Sequence, residues 1–125
     1  MAMQHAQGFL RLVEDAKTRV RELTVDQVKA KLDRGERFQL VDVREDNEWE
    51  KDHVAGAIHL GKGIIERDVE KQIPDRESEI VLYCGGGFRS ALVADNLQKM
   101  GYVNVYSVDG GIRDWRAKGY PLSKS

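Results

Sequence analysis

The chain has 125 residues, of which 41% are hydrophobic and 33% are charged, so it is long enough for one domain with a single core. Its 20 Lys and Arg residues and 21 Asp and Glu residues give a formal net charge of −1, and therefore no overall field that attracts nucleic acid or an anionic membrane. A single cysteine excludes an internal disulfide framework and a second, resolving thiol. The three histidines show no metal-ligand spacing with it, so we expect neither a metal nor a cofactor.

The N-terminal sequence gives no sign of export. It lacks the basic start, the continuous apolar segment and the small-residue cleavage site of a signal peptide, and no stretch is long enough to span a bilayer. A reactive thiol also persists better in a reducing compartment. We therefore expect a cytoplasmic protein.

The first part of the chain predicts a helix. Its apolar residues recur at helical spacing, with charged residues on the opposite side: Phe9, Leu12, Val13, Ala16 and Val20. We assign residues 1–21 to a helical extension laid on the domain. Its charged face is most simply a solvated surface, and a dimer contact is the alternative.

Short apolar segments that alternate with helical patterns follow. Strands are predicted from about residues 38, 57, 79 and 103, and a very short one at 23–25 precedes a helix capped by Thr24 or Asp26. Further helical segments are predicted around Glu48 and Trp49, in part of 61–73 and at 112–118. This alternation predicts a parallel α/β sheet that is covered on both faces.

Residues 80–101 (IVLYCGGGFRSALVADNLQKMG) place the only cysteine between a strand and a helix. Four β-favouring residues at 80–83 are typical of a strand buried on both faces, and helical spacing begins after Gly87. Amides of such a loop and of the first helical turn converge, and the helix dipole adds positive charge. We therefore expect an anion site that stabilises the Cys84 thiolate, with left-handed conformations among Gly85 to Gly87 and with Arg89 as a charged donor.

A structural role for the cysteine is the alternative, because lone cysteines are often buried small hydrophobic residues and glycines after a strand can form a simple turn. An arginine at the same junction favours a reactive site. Right-handed crossovers also bring Asp42, Arg44, Cys84, Gly110 and Gly111 to one edge of the sheet. We interpret these residues as parts of one site.

Four segments carry a resemblance to a known family: LVDVRE (40–45), EWEKDHVAGAIHL (48–60), CGGGFRS (84–90) and DGGIRDWRAKGYPL (109–122). Together they resemble a single-domain rhodanese, a sulfurtransferase module, over residues 22–122. The resemblance implies a three-layer α/β/α sandwich around a roughly five-stranded parallel sheet, to which the N-terminal helix is an addition.

The resemblance also implies roles for residues. Cys84 matches the family's persulfide-forming cysteine, while Asp42, Gly110 and Gly111 are expected to support the site structurally. Substrate contacts are expected from the cysteine loop and from one rim arginine: Gly85, Gly86, Gly87, Phe88, Arg89, Ser90 and Arg44. Basic side chains often replace the first two of these glycines in thiosulfate-preferring members, so the donor stays open.

Sulfur transfer is the expected reaction. The Cys84 thiolate would take the sulfane sulfur of thiosulfate or a similar anionic donor, whose anionic end Arg89 would hold, and would pass it to cyanide or a cellular thiol. A protein donor or acceptor is equally compatible with this scheme.

Two other classes of protein are alternatives to a sulfurtransferase. A cysteine phosphatase or arsenate reductase typically has one more residue than the four that separate Cys84 from Arg89 here, and no general acid is evident in this loop. A non-catalytic sulfur-carrier or docking module is the second rival, although docking modules commonly lose the cysteine that this chain keeps.

Overall fold

Seven strands organise the computed structural model, which describes residues 5–124. They are β1 (Arg21–Leu23), β2 (Gln39–Asp42), β3 (His53–Val54), β4 (Ile58–His59), β5 (Ile80–Tyr83), β6 (Val105–Val108) and β7 (Leu122–Ser123). Five of them form a parallel sheet in the order β1–β6–β5–β2–β4, and β3 pairs with β7 in a separate antiparallel ribbon. The predicted five-stranded parallel sheet is confirmed.

Residues 5–124 also form six helices, of which the first precedes β1 and the other five lie between strands. They are α1 (Gln7–Lys17), α2 (Val25–Asp33), α3 (Asp46–Lys51), α4 (Ile65–Gln72), α5 (Phe88–Lys99) and α6 (Gly111–Ala117). The strand expected at 23–25 ends earlier, at Leu23, because Thr24 caps α2: its side chain accepts a hydrogen bond from the Gln27 amide at 3.1 Å, and the Gln27 side chain accepts one from the Thr24 amide at 2.8 Å.

The central strand β5 is buried on both faces, as its sequence predicts. Ile80 and Leu82 belong to one hydrophobic cluster, which also holds buried residues of α4 and α5. Val81 and Tyr83 belong to a second cluster, with buried residues of α2 and α6. Because successive side chains of a strand point to opposite faces, the sheet separates two helical layers, which confirms the α/β/α sandwich.

The N-terminal helix α1 packs against α5. Its residues Val13 and Ala16 are buried, and the Arg19 guanidinium beyond its end donates two hydrogen bonds of 2.9 Å to the Asp95 carboxylate. The predicted extra helix is confirmed for residues 7–17, while residues 1–4 of the predicted extension lie outside the described residues. None of the helices formed by residues 5–124 has the length and apolar character needed to cross a membrane.

Candidate active site

Cys84 follows β5 directly, and backbone amides point at its sulfur. The Gly87 N–H donates to Sγ at 3.2 Å, and the Ser90 N–H, in the first turn of α5, donates at 3.4 Å. The Ser90 hydroxyl oxygen lies 3.5 Å from the same sulfur. Cys84 is only 1% exposed, so these groups take the place of water around the sulfur. Converging amides at a helix N-terminus suit a negatively charged sulfur atom.

A second serine lies behind the first. The Ser107 hydroxyl on β6 is 2.8 Å from the Ser90 hydroxyl, and both residues are fully buried. Ser107 therefore fixes the position of a hydroxyl that contacts the Cys84 sulfur. Ser107 was not among the predicted site residues, although a serine inside an otherwise apolar strand is a signal for a buried polar contact.

The three loop glycines serve two different purposes. The left-handed conformation expected among them is found at Gly87, with φ 103°, and not at Gly85 or Gly86. Those two glycines instead leave room for guanidinium groups. A Cβ atom at Gly85 would lie 3.1 Å from Nη2 of Arg89, and one at Gly86 would lie 3.1 Å from Nη2 of Arg113.

The N-terminal end of α6 holds the cysteine loop from the other side. The Ile112 N–H donates to the Cys84 carbonyl at 2.9 Å, and the Arg113 N–H donates to the Gly85 carbonyl at 3.0 Å. Gly111 has φ 53°, and a Cβ atom there would lie 2.5 Å from the Cys84 carbonyl oxygen. This close approach requires glycine at 111, whereas a Cβ atom at Gly110, where φ is 82°, would overlap the Asp114 side chain. A Cβ atom at Gly87 would lie 3.2 Å from the Gly110 nitrogen, so both glycines lie beside the cysteine loop.

Arg89 forms an ion pair that the sequence analysis did not predict. Its Nη1 and Nη2 atoms donate to the two carboxylate oxygens of Glu48, on α3, at 2.7 and 3.2 Å. These hydrogen bonds are the main reason why the pKa of Glu48 is lowered. The same hydrogen bonds, and to a smaller extent the charge of Cys84, raise the pKa of Arg89. No local pattern signals a pairing between residues 41 positions apart.

Asp42 and Arg44 form a buried ion pair at the carboxyl end of β2. Asp42 is 0% and Arg44 3% exposed, and Nε and Nη2 of Arg44 reach the carboxylate at 3.1 and 2.8 Å. Nη2 also donates to the Asp52 carbonyl at 2.7 Å. Arg44 lines the site, but most of its donors are used inside the protein, which supports a structural contribution.

An open cleft of ≈ 1100 Å³ leads to the cysteine. The cysteine loop, α6 and the N-terminal segment all line it, through Cys84, Gly85, Gly86, Phe88, Arg89, Ile112, Arg113, Arg116, His5, Gln7, Phe9 and Leu10, together with Arg44 and Glu48. The rings of His5 and Phe9 lie 5.0 and 6.2 Å from the ring of Phe88. The N-terminal segment, for whose charged face we expected a solvated surface or a dimer contact, thus also borders the cleft.

Fold and site together define a class: an α/β domain whose single cysteine lies in an amide-lined loop between a parallel strand and a helix. The sequence pattern of the Rhodanese-like domain family matches residues 24–118. The chain belongs to this family, and the resemblance to a rhodanese is confirmed.

Individual relatives agree with this assignment. The chain is 34% identical over 97 residues to the putative sulfur carrier protein YrkF of Bacillus subtilis, which covers 78% of the chain and 51% of YrkF. It is 36% identical over 78 residues to the thiosulfate sulfurtransferase GlpE of Coxiella burnetii, covering 62% of the chain and 71% of GlpE. The chain therefore spans about half the length of YrkF.

One solved structure matches almost the whole chain. It is a Rhodopseudomonas palustris protein of unknown function that is described as a possible tyrosine phosphatase. It superposes with a TM-score of 0.84 at 28% identity and covers 98% of this chain and 99% of its own. The match therefore includes the N-terminal helix as well as the region that the family pattern covers.

Proposed function

We propose that this chain is a sulfurtransferase that moves a sulfane sulfur from thiosulfate or a related anionic donor to a thiophilic acceptor through a Cys84 persulfide. The family and the relatives described as a thiosulfate sulfurtransferase and a sulfur carrier support sulfur transfer in general. The observation that carries the specific proposal is the pair of amides, from Gly87 and Ser90, at 3.2 and 3.4 Å from Sγ. Donors in these positions stabilise a charged sulfur before and after transfer.

The reaction divides into two displacements. In the first, the Cys84 thiolate attacks the outer sulfur of thiosulfate, an S–S bond forms, the bond to the sulfonate sulfur breaks, and sulfite leaves with the electron pair. In the second, cyanide or a thiolate attacks the outer sulfur of the persulfide. Thiocyanate or a new persulfide leaves, and the Cys84 thiolate is restored.

The neighbours of Cys84 have separate roles in this proposal. A cradle of backbone groups holds the transferred sulfur. It is formed by the loop residues Gly85, Gly86 and Gly87 and by the first turn of α5, from Phe88 to Ser90. Arg89 lies at the rim with its charge balanced by Glu48. Arg44 closes the edge of the cradle. Three further residues support the cradle structurally: Asp42, Gly110 and Gly111.

A phosphatase is the second candidate, because the Rhodopseudomonas palustris neighbour is described in that way. Ester cleavage usually needs a general acid at the leaving oxygen, whereas sulfite leaves without one. Glu48 is the one carboxylate that lines the cleft within residues 5–124, and its pKa is lowered by Arg89. A carboxyl group in this state is ionised at neutral pH, so it does not supply the proton, which favours sulfur transfer.

The distinguishing experiment assays the wild-type chain and Cys84→Ser side by side with thiosulfate plus cyanide and with p-nitrophenyl phosphate. We expect thiocyanate formation over many turnovers by the wild type, none by the variant, and no phosphate release by either. Because serine is close to cysteine in size, we expect the variant to keep its fold by circular dichroism. Phosphate release without thiocyanate would support the phosphatase, and loading of Cys84 without turnover would support a carrier.

The proposal also covers the location of the protein, its partners and the division of the chain into domains. A reactive thiol persists best in a reducing compartment, which is the reason for proposing a cytoplasmic location. Proteins as well as small thiols are proposed as sulfur donors or acceptors. The division into residues 1–21 and a rhodanese-like domain at 22–122 also stays a prediction.

A further inference from the structure

The cleft beside Cys84 is rich in arginine. Arg44, Arg89, Arg113 and Arg116 all line it, against the single carboxylate of Glu48 among the cleft residues that the structure describes. An arginine cluster next to a nucleophile is a candidate for anion binding. Which of the four can serve depends on which guanidinium is still free of a carboxylate partner.

Three of the four guanidinium groups are already paired. Each forms an ion pair inside the protein: Arg44 with Asp42 at 2.8 Å, Arg89 with Glu48 at 2.7 Å, and Arg116 with Asp52, whose Oδ1 accepts from Nη2 at 2.7 Å. An incoming anion would have to compete with these carboxylates. The net charge that such pairs offer to a ligand is therefore close to zero.

Arg113 is different. Within residues 5–124 its guanidinium makes no ion pair and no hydrogen bond, although its backbone N–H donates to the Gly85 carbonyl at 3.0 Å. The side chain extends over the cysteine loop, since a Cβ atom at Gly86 would lie 3.1 Å from Nη2 and 3.3 Å from Cζ. The Arg113 backbone is thus anchored to the loop, and its guanidinium, which has no carboxylate partner among the described residues, lies beside Gly86, the second residue after Cys84.

We propose that Arg113 binds the anionic end of the sulfur donor and selects negatively charged donors over neutral ones. The identity of the bound anion as a sulfur donor rests on the proposed function, whereas the position of Arg113 beside the cysteine loop does not. A thiolate and an anionic donor repel each other, and an unpaired guanidinium at the mouth of the cleft offsets that repulsion. Arg89 is less suited to this task, because a donor would first have to displace Glu48.

The first test uses alkylation, which needs no sulfur transfer. Cys84 is the only cysteine, so the rates of its modification by anionic iodoacetate and by neutral iodoacetamide can be measured on the intact chain. In Arg113→Ala we expect the iodoacetate rate to fall about threefold to tenfold while the iodoacetamide rate is unchanged. Arg113→Lys should keep most of the preference, because it keeps the charge.

Arg37→Ala is the matched control. Arg37 is also exposed and makes no ion pair or hydrogen bond within the part of the chain that the structure describes, but it does not line the cleft. Its removal changes net charge by the same amount and should leave the ratio of the two rates unchanged. The proposal is overturned if Arg113→Ala keeps the wild-type ratio, or if Arg37→Ala lowers it equally.

The second test measures sulfur transfer from thiosulfate. Arg113→Ala should raise KM about tenfold and leave kcat within about twofold, because the lost contact serves binding more than displacement. An unchanged KM in this variant overturns the assignment of Arg113 to the donor. If the wild type transfers no sulfur at all, the proposed function fails, while the alkylation ratio still decides whether Arg113 recruits anions.

Discussion

The contact between Gly111 and the cysteine loop allows a quantitative test. In Gly111→Ala, an L residue at φ 53° costs about 1–2 kcal/mol of backbone strain. The added Cβ atom would also lie 2.5 Å from the Cys84 carbonyl oxygen and 2.7 Å from that of Gly85, so the backbone must move. Overpacking of this kind costs about another 1–3 kcal/mol. We therefore expect a total loss of about 2–5 kcal/mol in the free energy of unfolding.

Gly119→Ala is the matched control, because Gly119 has φ 72° and a Cβ atom there meets nothing within 4 Å. It should lose only the strain, about 1–2 kcal/mol. Urea unfolding of both variants measures the difference, and an unchanged slope against denaturant shows that the two-state comparison holds. Sulfur transfer should fall only in Gly111→Ala, where the loop is displaced. Equal losses of stability and full activity in both variants would refute the close packing of α6 on the cysteine loop.

Two further predictions concern the neighbours of the sulfur. Glu48→Gln should lower the free energy of unfolding at pH 7 by about 0.5–1 kcal/mol. Because Arg89 lowers the pKa of folded Glu48 below its ordinary value of 4.5, this stabilisation is present above pH 4.5 and is lost as the pH falls through the lowered value. A wild-type-to-variant difference that does not shrink as the pH falls below 4.5 would contradict the ion pair. Ser107→Ala should cost about 1–2 kcal/mol, since the buried Ser90 hydroxyl loses its 2.8 Å partner. Thermal unfolding measures this loss of stability, and an unchanged Tm would argue against the hydrogen bond between the Ser90 and Ser107 hydroxyls.

The parts of the fold that depend on local pattern could be predicted from the sequence. The run at 80–83 and the helical spacing after Gly87 correspond to β5 and α5. The two-residue strand β7 was not predicted, because so short a segment has no period and exists through its pairing with β3. Val20 was assigned to the N-terminal helix, but α1 ends at Lys17 and Val20 packs into the main core.

The site was predictable to the extent that topology determines it. Parallel strands bring Asp42, Cys84 and Gly111 to one edge of the sheet, and the structure places them there. The ion pair of Arg89 with Glu48 and the position of Arg113 were not predictable, since both depend on how side chains from separate elements meet. No spacing rule connects such residues.

The contacts of the N-terminal segment were likewise not predictable from the sequence. Helical spacing predicts that α1 exists, but not what its ends contact. The aromatic residues His5 and Phe9 border the cleft because Phe88 of α5 presents its ring to them. That contact is set by the docking of α1 on α5, which the sequence pattern of α1 does not encode.

The most direct test of the account is the mass of the chain after incubation with thiosulfate and removal of excess donor. We expect about 32 Da to be added to the peptide that contains Cys84, and we expect cyanide to remove it with release of one equivalent of thiocyanate. An unmodified Cys84 peptide after exposure to thiosulfate and to other sulfane donors would contradict a persulfide held by the Gly87 and Ser90 amides.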